Sequence, residues 1–169
     1  KHCAKIAGDF IELGTGRGFV MSAVLSSMAD EELGERSVFL CDVFQLPEES
    51  GLGSQAFESY YSDGVENVQA FFAKWPQVEL IVGDVRRTLR HVPSRGFSFA
   101  HVDLNDADTE FKILRELWPR MVDGSIVLLD DYANRGLEAS YAAANRFFSS
   151  VSHTVLSTPA GQGIVIVKK

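Results

Sequence analysis

Apolar runs of strand length alternate with helical patterns along most of this chain, and this alternation is the feature that most limits its fold. The runs suited to strands lie at residues 9–13, 37–43, 78–83, 98–103 and 125–130. The helical patterns lie at residues 19–33, 65–75, 108–121 and 137–149. Nearly continuous apolar runs are typical of parallel strands that are buried on both faces. The repeat therefore predicts an α/β fold with a doubly wound sheet.

The C-terminal end breaks the alternation. Two strand-like runs, TVLSTP at 154–159 and IVIVKK at 164–169, are joined only by AGQG. Parallel neighbours need a crossover of about a dozen or more residues, so this short connection predicts an antiparallel hairpin. We therefore predict a Rossmann-like sheet of seven strands, mostly parallel, with one antiparallel strand in the C-terminal hairpin.

Composition and charge narrow the class of protein further. The 169 residues, of which 46% are hydrophobic, are enough for one core, so we predict a single domain over residues 1–169. No apolar run approaches the roughly 18–20 residues that span a bilayer, so no membrane is expected. The net charge of −7 repels a phosphate backbone, so nucleic acid is not an expected partner. The sequence leaves the oligomeric state open, with a homo-oligomer among the alternatives.

The two cysteines indicate the compartment. Cys3 and Cys41 have neither the spacing of metal ligands nor the density of a disulfide-bonded scaffold. We therefore expect a reducing, cytoplasmic environment.

Two regions lie outside the regular pattern. The chain begins at Lys1 rather than at methionine, which predicts that an N-terminal extension is missing. Residues 45–64 are rich in glycine and serine and include Phe57, Tyr60 and Tyr61. A long connection of this composition is typical of a mobile rim above the strand ends or of a surface insertion anchored by its aromatic side chains.

A glycine-rich turn follows the first predicted strand, with glycine at positions 14, 16 and 18. Missing side chains let a ligand approach the backbone, and the next helix offers free N–H groups. The spacing G-x-G-x-G differs from the G-x-G-x-x-G of nicotinamide and flavin sites, because Phe19 stands where the third glycine would be. A dinucleotide is therefore less favoured, and a turn that serves only packing remains an alternative.

Two aspartates close the second and third predicted strands. Asp42, in CDVF, can accept hydrogen bonds from both hydroxyls of a ribose, although an aspartate here also forms turns. Asp84, in IVGD, can accept a hydrogen bond from an adenine amino group. It can equally cap a helix at residues 86–91.

Three further aspartates end the fourth and fifth predicted strands. If these strands are neighbours, the carboxylates of Asp103, Asp130 and Asp131 converge at one point. Converging carboxylates repel one another unless a divalent cation, a shared proton or an arginine offsets their charge, and structural hydrogen bonding is a further alternative. His101 shares a strand face with Asp103, where it serves either the core or catalysis.

The motifs ELGTGRG, CDVFQLPEE, VGDVRRTL, HVDLND and LWPRMVDGSIVLLDDY lie within residues 8–132. Together they resemble the class I S-adenosylmethionine-dependent methyltransferases, particularly the macrocin O-methyltransferase-like group that acts on sugars. The resemblance implies that the glycine turn holds the methionine part of the cofactor and that Asp42 binds its ribose. We expect the cofactor site to include Glu12, Gly14, Thr15, Gly16, Gly18, Asp42 and Asp84.

The same resemblance implies a magnesium site beside the acceptor hydroxyl, with Asp103, Asp130 and Asp131 as its ligands. It also implies an N-terminal region that forms a lid. The chain departs from the group's DGDxYES motif, because Asn105 replaces an acidic residue and the tyrosine is absent.

These residues suit methyl transfer to oxygen. A sulfonium methyl group is already activated, so a protein must mainly align it with the acceptor oxygen and remove that oxygen's proton. Magnesium would lower the pKa of the hydroxyl, and Asp103 or His101 would accept its proton. We therefore predict an S-adenosylmethionine-dependent O-methyltransferase that acts, with magnesium, on a hydroxyl of a small molecule such as a sugar or glycosylated metabolite.

Two alternatives come from other classes of protein. One is a Rossmann-type oxidoreductase with a nucleotide cofactor, against which stand the glycine spacing and the lack of a Tyr-x-x-x-Lys pair in the sequence. The other is a non-catalytic domain that binds S-adenosylmethionine.

Overall fold

A computed structural model describes residues 1–44 and 64–169, and a seven-stranded sheet forms its centre. The strands are β1 Asp9–Leu13, β2 Val38–Asp42, β3 Val78–Val82, β4 Phe97–Val102, β5 Met121–Leu129, β6 Leu156–Ser157 and β7 Gly163–Ile166. Their order across the sheet is β3-β2-β1-β4-β5-β7-β6. Strands β1 to β5 are parallel, and β7 runs antiparallel to both β5 and β6. The predicted sheet and its C-terminal hairpin are therefore confirmed.

The helices connect the strands as the alternation predicts. They are α1 Phe19–Ser26, α2 Asp30–Leu33, α3 Val65–Phe72, α4 Val85–Thr88, α5 Ala107–Leu117 and α6 Glu138–Ser150. In residues 1–44 and 64–169, no helix has the length and apolar character needed to cross a membrane. The rim predicted at residues 45–64 lies outside the described residues, apart from Gly64.

The helix predicted at residues 19–33 is two helices. Helix α1 ends at Ser26, where the hydroxyl of Ser27 donates a hydrogen bond to the carbonyl of Val24. Serine competes for backbone hydrogen bonds in this way and so favours helix ends over interiors. Helix α2 then begins with acidic residues, and the carboxylate of Glu32 accepts a hydrogen bond from the backbone N–H of Ala29. Negative charge at a helix N-terminus stabilises this second start.

The helix predicted at residues 108–121 is shorter, and the strand after it is longer. Helix α5 ends at Leu117, and Trp118–Arg120 form a 3₁₀ turn that contains Pro119. Proline has no N–H to donate to a continuing α-helix. Strand β5 therefore begins at Met121, before the predicted residue 125, and passes through Gly124 at a φ of 79°.

Two hydrophobic clusters cover the two faces of the sheet. Phe10 packs in one cluster with Met21 of α1 and Phe72 of α3. Its neighbour Ile11 packs in the other cluster with Phe148 of α6. Successive side chains of a strand point to opposite faces, so β1 contributes to both clusters. The ends of the central strands are thus fixed by packing on both sides.

Candidate functional site

The winding of the sheet reverses between β1 and β4, which are neighbours. The chain passes from β1 to β2 and β3 on one side, and from β4 to β5 on the other. Ligands of doubly wound sheets bind at such a reversal, beyond the carboxyl ends of the strands. Here the backbone N–H of Asp103 donates to the carbonyl of Leu13 at 2.9 Å. A β-carbon on Gly14 would overlap the carbonyl of Asp103, so only glycine fits there.

The glycine turn has the conformation that its composition predicts. Gly14, Gly16 and Gly18 have φ angles of 82°, 51° and 75°, a region that favours glycine. The N–H of Gly18 donates to the carbonyl of Thr15 at 2.7 Å, and α1 begins at the next residue. A β-carbon on Gly18 would overlap the ring of Phe72. The buried hydroxyl of Thr15 has no hydrogen-bond partner among the described residues, so a ligand can bond to it.

Asp42 holds the glycine turn from the neighbouring strand. Its Oδ2 accepts a hydrogen bond from the N–H of Gly16 at 2.7 Å, and its Oδ1 accepts one from the N–H of Phe44 at 3.0 Å. The carboxylate is partly buried at the end of β2. It therefore lies beside the turn, where a ribose held against the backbone of Gly16 would meet it. The structure brings the two predicted cofactor elements together.

Asp84 has the geometry of a helix cap. It is the N-cap residue of α4, and its Oδ1 accepts a hydrogen bond from the backbone N–H of Arg86 at 2.9 Å. Both carboxylate oxygens also accept hydrogen bonds from the guanidinium of Arg86. These contacts hold the pKa of Asp84 below its ordinary value. Of the two roles predicted for Asp84, the cap is the one present here, and contact with adenine stays a prediction.

Glu12 and His101 form a buried pair beneath the glycine turn. They are register partners on β1 and β4, their side chains are 1% and 2% exposed, and Oε1 lies 2.9 Å from Nδ1. The same Oε1 accepts a hydrogen bond from the N–H of Met21 in α1. Glu12 was predicted at the cofactor site, where its Oε1 contacts protein groups and its buried Oε2 has no hydrogen-bond partner among the described residues. Any direct contact with the cofactor stays a prediction.

His101 also faces the end of β5. Its Nε2 lies 3.7 Å from Oδ1 of Asp130, which is close enough for charge attraction but too long for a hydrogen bond. Burial opposes protonation, but the carboxylates of Asp130 and Glu12 outweigh it and raise the pKa of His101 to about 9. The imidazolium in turn holds the pKa of Asp130 below its ordinary value. The direction of this shift favours the protonated imidazole, and a catalytic role for His101 stays a prediction.

The three strand-end aspartates lie near one another. Burial and the charge of Asp130 raise the pKa of Asp103 to about 6, against the opposing effect of His101. Asp131 contributes a smaller repulsion. Asp103 is thus within electrostatic range of Asp130 and Asp131, and the convergence of the three carboxylates on one point stays a prediction.

Side-chain amides contact all three of these aspartates. The hydrogen bonds run from Asn105 to Asp103 at 3.0 Å, from Asn134 to Asp131 at 2.7 Å and from Gln162 to Asp130 at 2.7 Å. In the part of the chain that the structure describes, no group of three or more His, Cys, Asp or Glu residues could hold a metal ion. The magnesium site stays a prediction from the sequence.

Sequence reasoning missed three groups at this site: Asn134, described above, Gln162 and Glu110. Gln162 belongs to the β6–β7 hairpin, which was predicted only as a connection, yet its amide reaches Asp130. Glu110 of α5 accepts a hydrogen bond from the N–H of Leu104, in the loop after β4. Burial, with the nearby charges of Asp131 and Asp103, raises the pKa of Glu110 to about 7. Glu110 lies four residues after its helix N-cap, one position beyond the capping-box spacing, so no local pattern marks either Glu110 or Gln162.

A family profile described as methyltransferase domain matches residues 11–132, which is most of the chain. The chain belongs to this family. Membership confirms the resemblance to the class I S-adenosylmethionine-dependent O-methyltransferases that the strand-end motifs indicated. The matched range of this methyltransferase domain runs from β1 to the residues just after β5, so it includes every strand-end residue discussed above.

A curated relative supports the same assignment. It is the 8-demethyl-8-(2,3-dimethoxy-alpha-L-rhamnosyl)-tetracenomycin-C 4'-O-methyltransferase of Streptomyces olivaceus, 29% identical over 144 residues. The match covers 76% of this chain and 54% of the relative, so the chain spans about half the length of that protein.

Solved structures share the fold. The O-methyltransferase NovP superposes with a TM-score of 0.77 at 19% identity, covering 96% of this chain and 73% of that one. CalS11, described as a TDP-rhamnose 3'-O-methyltransferase of calicheamicin biosynthesis, superposes with a TM-score of 0.71 at 21% identity, covering 99% and 75%. At these identities the comparison establishes the architecture.

Proposed function

We propose that this methyltransferase domain binds S-adenosylmethionine and transfers its methyl group to a hydroxyl of a small molecule, such as a sugar or glycosylated metabolite. One observation supports this proposal above the others. The glycine turn after β1 packs directly against the backbone of Asp103 after β4, which makes the proposed cofactor turn and the proposed proton acceptor neighbours.

The cofactor half of the site fits an adenosine linked to an amino acid. The left-handed turn exposes backbone to the amino-acid portion, and Thr15 offers a buried hydroxyl that has no partner within residues 1–44 and 64–169. Asp42 can also accept hydrogen bonds from ribose hydroxyls. A carboxylate has about four acceptor positions, and the bonds from the N–H groups of Gly16 and Phe44 use two of them. The spacing of the glycines also separates this site from dinucleotide sites.

The chain's own residues supply alignment and a proton acceptor. S-adenosylmethionine supplies the activated methyl when it is bound. Asp103 would accept the proton of the acceptor hydroxyl as the hydroxyl oxygen takes up that methyl group, and the thioether would be the leaving group. Because the pKa of Asp103 is raised to about 6, its carboxylate is a stronger base than an ordinary aspartate and is still ionised at neutral pH.

The charged groups around Asp103 affect how strongly it binds a proton. Protonated His101, held by Glu12, offsets the negative charge of Asp130 and so lowers the repulsion that Asp103 meets. Magnesium prefers oxygen ligands of the kind found here. As the side chains lie in the described residues, no three of the His, Cys, Asp and Glu groups are arranged to hold the ion. We therefore assign no step to magnesium.

The proposed class of acceptor molecule is based on the printed names of two similar proteins. The Streptomyces olivaceus protein is named for methylation of a rhamnosyl-tetracenomycin, and CalS11 is titled a TDP-rhamnose methyltransferase. A deoxysugar hydroxyl is the shared chemical feature. A sugar also suits a site lined by carboxylates and amides, because such groups both accept and donate hydrogen bonds to hydroxyls.

Methyl transfer can be measured directly. We expect transfer of isotopically labelled methyl from S-adenosylmethionine to at least one of a panel of free, nucleotide-linked and glycosidic deoxysugars, with the product located by mass spectrometry. Asp103→Asn should abolish transfer and retain cofactor binding, while the exposed-site variant Glu79→Gln should transfer at the wild-type rate. Cofactor binding without transfer to any member of the panel would favour the non-catalytic alternative.

A further inference from the structure

Glu110 of α5 is a half-buried carboxyl group that has no part in the proposed reaction so far. Its Oε1 accepts a hydrogen bond from the backbone N–H of Leu104 at 3.3 Å, and the backbone of Asn105 lowers the pKa of the same carboxyl group. The charges of Asp131 and Asp103 act against the ionised form. The bonds to the loop after β4 offset part of that repulsion.

The loop after β4 presents two successive N–H groups to this carboxyl group. They belong to Leu104 and Asn105, and Asn105 has a left-handed φ of 54°. Successive N–H groups in a turn form a concavity that binds anions. Glu110 is in turn held by its own helix, because its N–H donates to the carbonyl of Asp106 at 2.9 Å. The carboxyl group thus ties the loop to the first turn of α5.

The loop backbone determines how Asn105 meets Asp103. The sheet fixes the backbone of Asp103, since its N–H donates to the carbonyl of Leu13 at 2.9 Å. That bond leaves the side chain of Asp103 free to rotate. Nδ2 of Asn105 donates to Oδ1 of Asp103 at 3.0 Å, and the direction of this amide depends on the left-handed backbone that Glu110 holds. Glu110 therefore reaches the carboxylate of Asp103 through two contacts in series.

Resting on the proposed function, we propose that Glu110 is a positioning residue for methyl transfer: it holds the loop after β4 so that Asn105 orients the carboxylate of Asp103 toward the acceptor hydroxyl. This role needs an acceptor oxygen at the end of the side chain. Glutamine keeps that oxygen, and methionine keeps the length of the side chain without it. The cofactor turn does not depend on this contact, because it packs on the backbone of Asp103.

The test compares steady-state methyl transfer by the wild type, Glu110→Met and Glu110→Gln, with the acceptor that the wild type methylates. Misplacing a reacting group lowers the rate of the chemical step, so Glu110→Met should lower kcat about tenfold or more. The acceptor KM and the Kd of S-adenosylhomocysteine should stay within about twofold of the wild-type values. Glu110→Gln should restore most of kcat. Glu116→Met, at an exposed position on the same helix, should behave as the wild type does.

Two further measurements separate positioning from general support of the fold. Asn105→Gly removes the amide while tolerating the left-handed φ, so it should lower kcat as Glu110→Met does. The double variant should be no slower than either single variant, because both substitutions break one series of contacts. Without catalysis, the N–H of Leu104 should exchange with solvent about tenfold faster in Glu110→Met than in the wild type or Glu110→Gln.

The outcomes decide between this role and its alternatives. If Glu110→Met does not fold, Glu110→Ala removes the same oxygen. Wild-type kcat in a folded variant without the oxygen would overturn the proposal, and so would a loss of kcat that glutamine does not restore or an equal loss of S-adenosylhomocysteine affinity. A wild type that methylates no acceptor would overturn the proposed function and this role with it, whereas an active wild type with an equally active Glu110→Met would overturn this role alone.

Discussion

The carboxylate of Glu12 and the imidazole of His101 meet across the central strands β1 and β4, with Oε1 and Nδ1 2.9 Å apart and both side chains almost fully buried. Each side chain has a second contact. The carboxylate of Glu12 also accepts a hydrogen bond from the N–H of Met21 in α1, and the imidazole of His101 faces Asp130 at the end of β5. One buried hydrogen-bonded pair thus connects helix α1, which follows the glycine turn, with the end of β5.

Removal of either member of this pair should destabilise the fold strongly. Glu12→Leu or His101→Leu leaves the other group buried and unpaired, so we expect each single variant to lose about 3–5 kcal/mol of unfolding free energy. The double variant should lose less than the sum, because it leaves no unpaired charge. Urea denaturation of the four proteins measures this.

The exposed acid Glu79 on β3 provides the control, since Glu79→Leu should change stability by only about 0.5 kcal/mol. Strict additivity of the Glu12 and His101 substitutions would show that the two side chains do not interact energetically.

Glu110 should make stability fall with rising pH. Its pKa is raised from 4.5 to about 7, so the folded state binds this proton more tightly than the unfolded chain does. Its stabilising contribution is therefore complete below about pH 4.5 and is lost as pH rises through about 7. Glu110→Gln should be more stable than the wild type by about 1 kcal/mol at pH 8, with the difference vanishing near pH 4.

Urea titrations across this pH range give the comparison. Glu116→Gln, at an exposed position on the same helix, should follow the wild-type profile. If the unfolding free energies of the wild type and Glu110→Gln changed with pH in parallel, this would contradict the argument that burial raises the pKa of Glu110.

Most of the fold was accessible from the sequence, because strand burial leaves a strong local pattern. The alternation of apolar runs predicted β1 to β5, and the four-residue AGQG connection predicted the antiparallel hairpin. Element ends were less accessible. The break between α1 and α2 depends on side-chain bonds of Ser27 and Glu32, and the start of β5 depends on Pro119.

Gly14 should tolerate no side chain. Alanine at position 14 is destabilised by the left-handed φ of 82°, and its β-carbon would also overlap the carbonyl of Asp103. Gly136 provides a matched control, because it has a φ of 87° and nothing lies within 4 Å of an added β-carbon. Gly136→Ala should cost only about 1–2 kcal/mol.

We expect Gly14→Ala to lose more unfolding free energy than Gly136→Ala and to lose S-adenosylhomocysteine binding, as measured by urea denaturation and calorimetry. Equal effects of the two substitutions on both quantities would mean that the packing of Gly14 on Asp103 has no role in the site.

The site was less accessible from the sequence than the fold. The aspartates at strand ends were found because topology places the carboxyl ends of parallel strands at one edge. Their partners were not found, since Gln162 reaches Asp130 across 32 positions of sequence and no local pattern encodes such a contact. The pairing of Glu12 with His101 was not found for the same reason, since the two residues are 89 positions apart.

Asp42 should contribute to cofactor affinity. Asp42→Ala removes the proposed ribose acceptor and the bond that holds Gly16, so S-adenosylhomocysteine should bind about 1–3 kcal/mol more weakly. Calorimetric titration gives the affinity, and Glu79→Ala, which removes an exposed acid from the neighbouring strand, should bind as the wild type does. Unchanged affinity in a folded Asp42→Ala protein would place the ribose elsewhere.

The central claim is that the turn after β1 is a site for S-adenosylmethionine. Calorimetric titration of the folded chain with S-adenosylmethionine, S-adenosylhomocysteine and NAD tests it most directly. We expect the first two to bind with micromolar Kd, which is about −8 kcal/mol, and NAD to give no binding heat. Binding of NAD, or no binding of S-adenosylhomocysteine to a chain shown to be folded by its unfolding transition, would contradict the claim.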